Sequence, residues 1–417
     1  MDKQERKKLR ERQIEKGLTV VAQQEEETAT QAPPHRRYWI VLLLILIVAA
    51  VAGAGVYYSL SGRTYNDYEV LAEYEVDDAS SMEYLIYGDN YIKYSKDGVS
   101  YIDSSNHTVW VESYAMKMPY AVVSGDYIAI ADLNGNEVYL FGKEGKLSQT
   151  TTQYTITDID VALQGVFVVV MESDNGNEII SYDKNGEKIA EMTTTAQSSG
   201  YPLDVALSPD GQKLVISYTY FEGMTLKNRI GTHNFGPVGQ NENADRFVGG
   251  FELDDTLVSK VKFIGDSTIC AFGDDRLIFY SMKEKPSEIT QIPYSQEIKS
   301  IFFNDLYAGT ICEKQGAEGS NQYELKVYNT SGKQVVSIDV DIAYSHVHAT
   351  KDRIIVSGDS ECRIYDYNGN CLFSYSFAKK LLNLVPMGDK REYMAVYENG
   401  SEYIRLTTKK DEVEERP

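Results

Sequence analysis

The sequence predicts an all-β chain, an eight-bladed β-propeller, preceded by one transmembrane helix and a short cytoplasmic tail. Three observations predict it. One uncharged stretch lies near the start, a hairpin pattern recurs along the remainder, and a lone strand at one end matches a missing strand at the other. The reading divides the chain into a basic, disordered tail (1–37), a membrane helix (38–60), a linker (61–67), the propeller (68–408) and a charged C-terminal tail (409–417).

The uncharged stretch is "YWIVLLLILIVAAVAGAGVYYSL", 23 residues from Tyr38 to Leu60. At about 1.5 Å per helical residue it crosses the ~30 Å hydrocarbon layer. Arg36 and Arg37 abut its first end, and Tyr38 and Trp39, with Tyr57 and Tyr58, suit the two interfaces. Residues 1–37 hold nine Lys and Arg against seven Asp and Glu; the remainder holds 32 against 55. The positive-inside rule therefore puts the N-terminus in the cytoplasm and the large C-terminal part outside the cell membrane. A cleaved signal peptide, cut near Ala52-Gly53-Ala54, is the competing reading. The long charged preface and the length of the apolar run oppose it.

Beyond Tyr68 the pattern is of short alternating runs broken by Gly, Asn and Asp, as in strands and turns. "SYDKNGEKIAEM" (Ser181 to Met192) returns as "VYNTSGKQVVSI" (Val327 to Ile338) and "IYDYNGNCLFSY" (Ile364 to Tyr375). Equivalent positions fall at Ile102, Phe141, Tyr182, Tyr280, Tyr328 and Tyr365, with a less regular one near Ile230. The spacings of 39, 41, 48, 50, 48 and 37 residues match one four-stranded blade each. Two-residue turns at Asn185-Gly186, Ser331-Gly332 and Asn368-Gly369 would supply the positive φ of a tight hairpin. The last unit has only three strands, and "YEVLAEYEV" (Tyr68 to Val76) is a strand without a blade. Joining them closes a ring of eight and leaves no open seam. Seven blades with irregular ends is the alternative count.

One unit departs from the pattern. "HNFGPVGQNENAD" (His233 to Asp245) is too long for a hairpin turn, and long loops on rigid scaffolds concentrate function. Asn234, Phe235, Gly236, Val238, Gly239, Gln240 and Asn241 are the candidate binding loop, with Phe235 and the amides of Gln240 and Asn241 as contacts. A corner that merely caps one face of the ring is the competing reading. With "NFGPVGQN" (Asn234 to Asn241), "VGGF" (Val248 to Phe251) and "AFGDDRLIFY" (Ala271 to Tyr280), the chain resembles a family of uncharacterised Gram-positive single-pass membrane proteins. The resemblance covers nearly the whole chain. It implies an extracytoplasmic propeller-like domain of unknown function and no assigned activity.

No catalytic signature stands out: there is no Gly-rich phosphate loop, nucleophile elbow or HExxH. "DLNGNE" (Asp132 to Glu137) and "DNGNE" (Asp174 to Glu178) read as turns, since neither continues an EF-hand. His346 and His348 share a strand face, but no further metal ligand is evident. Cys270, Cys312, Cys362 and Cys371 read as free thiols, because the expected turn sets Cys371 opposite Asp366 and not Cys362. No cofactor is indicated, and a net charge of −21 disfavours nucleic acid. The expected function is a binding or scaffolding module, held in membrane lipid by one helix, for an envelope protein, peptide or glycan. An extracytoplasmic enzyme with its site in the central channel is the alternative.

Overall fold

The computed structural model describes residues 4, 6–16, 42–48, 64–75, 81–243, 245–314 and 322–408. They fall in two units, Met1–Arg63 and Thr64–Pro417. In the first, residues 6–16 and 42–48 are helical and exposed. Among the described residues no helix is long and apolar enough to cross a membrane. The rest of the span expected at 38–60, and the tail at 409–417, lie outside them.

The second unit is eight four-stranded antiparallel sheets. Blades 1 to 7 occupy residues 83–113, 119–151, 155–194, 201–253, 258–293, 298–340 and 346–376. Blade 8 takes its three inner strands from 381–407 and its outermost strand from Asp67–Glu75. Innermost strands of neighbouring blades contact one another at most of the seams, that between blades 8 and 1 among them. The count is therefore eight, and the strand at the start of the domain closes the ring.

Each seam between blades holds its own apolar cluster, and eight seams carry eight clusters. Strand periodicity explains this. In the second strand of blade 2 (Tyr127–Asp132), Ile128 and Ile130 pack toward blade 1 while Ala129 and Ala131 pack toward blade 3. A sheet buried on both faces reads as a continuous apolar run.

The recurrent hairpin joins the third and fourth strands of a blade. Its turn differs from the expected two-residue form. Asp183 Oδ1 accepts the N–H groups of Asn185 and Glu187, at 2.9 Å each. Asp103, Asn329 and Asp366 do the same in blades 1, 6 and 7. The side chain thus caps a longer turn, and Gly186, Gly332 and Gly369 take positive φ within it. The ladder is bulged beside this turn, at Tyr182, Tyr328 and Tyr365. The bulge sets Cys371 opposite Tyr365, not Asp366, and all four thiols are free.

Closure is reinforced where the chain enters the ring. Thr64 Oγ1 donates to Cys371 O at 2.8 Å, and Tyr65 N to Leu372 O at 2.7 Å, both on the outermost strand of blade 7 (Cys371–Ser376). Tyr68 packs on Tyr375 and Phe377, at centroid distances of 4.9 and 5.4 Å. Replacing Tyr68 with Ala should therefore cost about 1–3 kcal/mol. Chemical denaturation of the full chain checks this, and an unchanged midpoint would show that the contact contributes nothing to closure.

Candidate functional site

The innermost strand of a propeller blade pairs on one side only, so its other edge faces the axis with unpaired N–H groups. On blades 4 and 5 that edge is capped by carboxylates of the preceding blade. Asp158 and Asp160, on the innermost strand of blade 3 (Thr155–Val161), accept from Val205 N at 3.2 Å and Leu207 N at 2.8 Å. Asp204, on that of blade 4 (Tyr201–Leu207), accepts from Val261 N at 2.7 Å. Two lysines of blade 5 (Val258–Ile264) complete the network: Lys260 pairs with Asp204 at 2.6 Å and Lys262 with Asp160 at 2.9 Å.

Bulges aim these side chains. Each of five innermost strands inserts one residue, just before Asp158, Asp204, Lys260, Ser300 or Asn383. An inserted residue bends the strand and redirects the next side chain. Sequence reasoning missed this ring, because in so acidic a chain no carboxylate pair stands out. The available signal was a charged residue inside an otherwise apolar first strand, in "TDIDVAL", "LDVALS" and "SKVKFI".

The electrostatics of the network are uneven. Burial, then the charge of Asp204, pushes the Asp158 carboxyl up to about 7, with Lys260 opposing. Burial also raises Asp204 despite its ion pair. Burial opposes the charge on Lys260, but Asp204, Tyr120 and Asp158 outweigh it and raise that pKa. His346 and His348 lie on the innermost strand of blade 7 (His346–Ala349), stacked at 6.4 Å between centroids. Burial, then the neighbouring His346, lowers His348 to about 4. Among the described residues no group of His, Cys, Asp and Glu is arranged to hold a metal.

The expected binding loop lies on the outside of the ring, in the connection between the third strand (Thr225–Asn234) and the fourth (Phe247–Leu253) of blade 4. It forms a one-and-a-half-turn helix, α1, over Pro237–Glu242. Pro at the first helical turn and Gly236 before it favour that start. The corner is rigidly built. Asn234 is buried, takes Gly236 N on its Oδ1 at 2.9 Å, and donates to the Glu284 carbonyl of blade 5 at 3.0 Å. Gly239 is required, because a Cβ there would stand 1.7 Å from Asn234 O. Glu242 and Lys285 pair across the seam at 2.7 Å.

The seven expected residues therefore divide. Asn234, Gly236 and Gly239 are buried and support the corner, and Val238 is exposed to solvent in part. Phe235 packs against the cluster shared by blades 3 and 4, with its N–H on Gln212 O at 2.8 Å. Gln240 and Asn241 are exposed. Phe235 and Gln240 line a groove of about 400 Å³, together with Ile189 and Glu191 of blade 3, and Asp245 and Arg246. These last four were not singled out from the sequence, because a groove between blades joins residues far apart in the chain.

An eight-bladed propeller with a helical corner is thus the class of protein that fold and site define. A family of unknown function (DUF5711) matches residues 61–406, so the chain belongs to that family. No curated protein matches it. Among solved structures it is similar to Sqt1 of Chaetomium thermophilum bound to the N-terminus of ribosomal protein L10, at 10% identity over 82% of this chain and 100% of that one, with a TM-score of 0.53. Sqt1 of Saccharomyces cerevisiae gives 9%, 83%, 99% and 0.50. BamB of Moraxella catarrhalis gives 12%, 82%, 100% and 0.46. At such identities the likeness is one of fold.

The inner network predicts an unusual pH dependence. A carboxyl raised in the folded state binds its proton more tightly there than in the unfolded chain, where its pKa is about 4. Asp158 therefore makes the fold more stable as pH falls from about 7 toward 4, and less stable above 7. Asp158→Asn should raise the unfolding midpoint at pH 8 and flatten the profile between pH 4 and 7. Thermal unfolding at a series of pH values tests both, and a parallel wild-type profile would refute the assignment.

Proposed function

We propose that this chain is a membrane-anchored extracytoplasmic β-propeller that binds or scaffolds a protein, peptide or glycan of the cell envelope through the α1 corner of blade 4. The anchor is the stretch 38–60. Its described part, residues 42–48, is helical and wholly apolar, and each residue is more than half exposed, as suits a lipid-facing surface. The charge difference across it supports the cytoplasmic placement of the tail.

One observation carries the binding role. Among the described residues, blade 4 is the blade that replaces an outer turn with a helix. Buried Asn234, Gly239 and the Glu242–Lys285 pair fix that helix across a seam, while Gln240 and Asn241 stay exposed at its surface. Rigid support under exposed amides is what a recognition surface needs, since little ordering is left to be done on binding. The fungal Sqt1 propeller bound to an L10 N-terminus is a ring of this fold that accommodates a polypeptide segment. The alternative, catalysis in the channel, has the inner carboxylates in its favour. They are already engaged with backbone N–H groups and lysines, which suits a structural role better.

The test is photo-crosslinking in intact cells, comparing the full chain with Gln240→Ala/Asn241→Ala and with Phe235→Ala. Capture of an envelope partner should fall at least tenfold in the double variant, whose exposed side chains leave the core untouched. Equal capture would remove the corner from the binding role.

A further inference from the structure

We propose that the groove beside α1 captures the C-terminal carboxylate of a peptide whose last side chain is apolar, with Arg246 as the anion anchor. The inference rests on the reading of the α1 corner as the binding site and names the chemistry of its ligand.

Arg246 is the observation. In the propeller, Arg229, Arg276, Arg353, Arg363, Arg391 and Arg405 each form an ion pair. Arg246 forms none among the described residues, in a chain whose net charge is −21. Its side-chain hydrogen bond among those residues is a long one, 3.5 Å to Gln240 O. Its backbone has φ +64°, a left-handed conformation that a long side chain seldom adopts. Two bonds impose it: Arg246 N donates to Asn243 O at 3.1 Å, and Asn234 N to Arg246 O at 3.0 Å. Such strain persists where the surrounding structure over-determines it, and it clusters at ligand sites. Here it accompanies an arginine that lines the groove with no carboxylate paired to it among the described residues.

The rest of the groove selects the ligand. A guanidinium fork takes a carboxylate through two parallel N–H···O bonds. Glu191 is neutralised by Lys188 at 2.6 Å, but the Asp245 carboxylate has no ion pair among the described residues. Asp245 repels a single carboxylate less than it would a phosphate dianion, so the groove favours the monoanion. Ile189, which is 55% exposed, and Phe235 supply an apolar wall. The volume of about 400 Å³ sits at the small end of ligand sites, enough for a chain end. A C-terminal residue brings a carboxylate and its own side chain on one Cα, which fits a cation and an apolar wall in one small groove.

The probe is an immobilised set of pentapeptides, each ending in Leu, Ile or Val, exposed to the labelled full chain in lipid nanodiscs. Each sequence is presented as the free acid, as the C-terminal amide, and as an amide with an internal Glu. Free acids should be retained at least tenfold more than either amide. Arg246→Asn, which tolerates the left-handed backbone, should abolish the difference. Ile189→Asp, an exposed change on a paired strand, should weaken retention severalfold with the unfolding midpoint unmoved. Equal retention of acid and amide, or binding unaffected by Arg246→Asn, would overturn the proposal. So would an internal Glu that serves as well as the terminus. If no peptide binds while the Gln240→Ala/Asn241→Ala variant still loses its cellular partner, the corner stands and this ligand class falls. If both fail, the corner itself is the wrong site.

Discussion

Eight sheets share a core only if the ring closes, and this ring closes through one antiparallel pairing, Asp67–Glu75 against Gly400–Thr407. The pairing supplies backbone bonds and also side chains to both adjoining seams. Tyr65 and Tyr68 pack into the cluster of blades 7 and 8, and Tyr74 into that of blades 8 and 1. Without the strand, both seams would lose part of their cover and blade 8 would present a free edge. A second grip, from Thr64 and Tyr65 onto blade 7, sits where the chain arrives from the N-terminal region. The closing strand is thus held from two blades.

The axis poses the complementary problem. A ring of innermost strands turns eight unpaired edges toward its centre. Blades 3 and 4 answer with carboxylates that reach into the next blade, and two lysines of blade 5 balance the accumulated charge. The balance is incomplete: three carboxylates meet two lysines, and the proton affinity of Asp158 absorbs the difference. Polar specificity at the axis and pH sensitivity are therefore two effects of one arrangement.

Much of this was legible in the sequence. Counting strands located the closing strand, because a period of two and a missing fourth strand leave few alternatives. The echo at Tyr182, Tyr328 and Tyr365 marked the third strand of each blade. Its turn was misjudged because the cap is a side chain: Asp183 and its equivalents stabilise a longer loop, which shifts Cys371 by one position. The loop at 234–241 stood out by its length, but not the division of its residues into supports and surface. Arg246 could not be read at all. Which carboxylates come within reach of an arginine is a property of the assembled seam, and no local pattern encodes it.

The closing pairing also imposes an order in time. Asp67 stands opposite Thr407, near the other end of the domain, so the strand made first waits for a partner made last. During synthesis every blade can form its own hairpins, but the ring stays open until the final blade emerges. A chain interrupted late would keep most of its strands and still carry two unpaired edges. Quality control could thus recognise an unfinished copy by those edges alone, whatever the state of the seven blades between them.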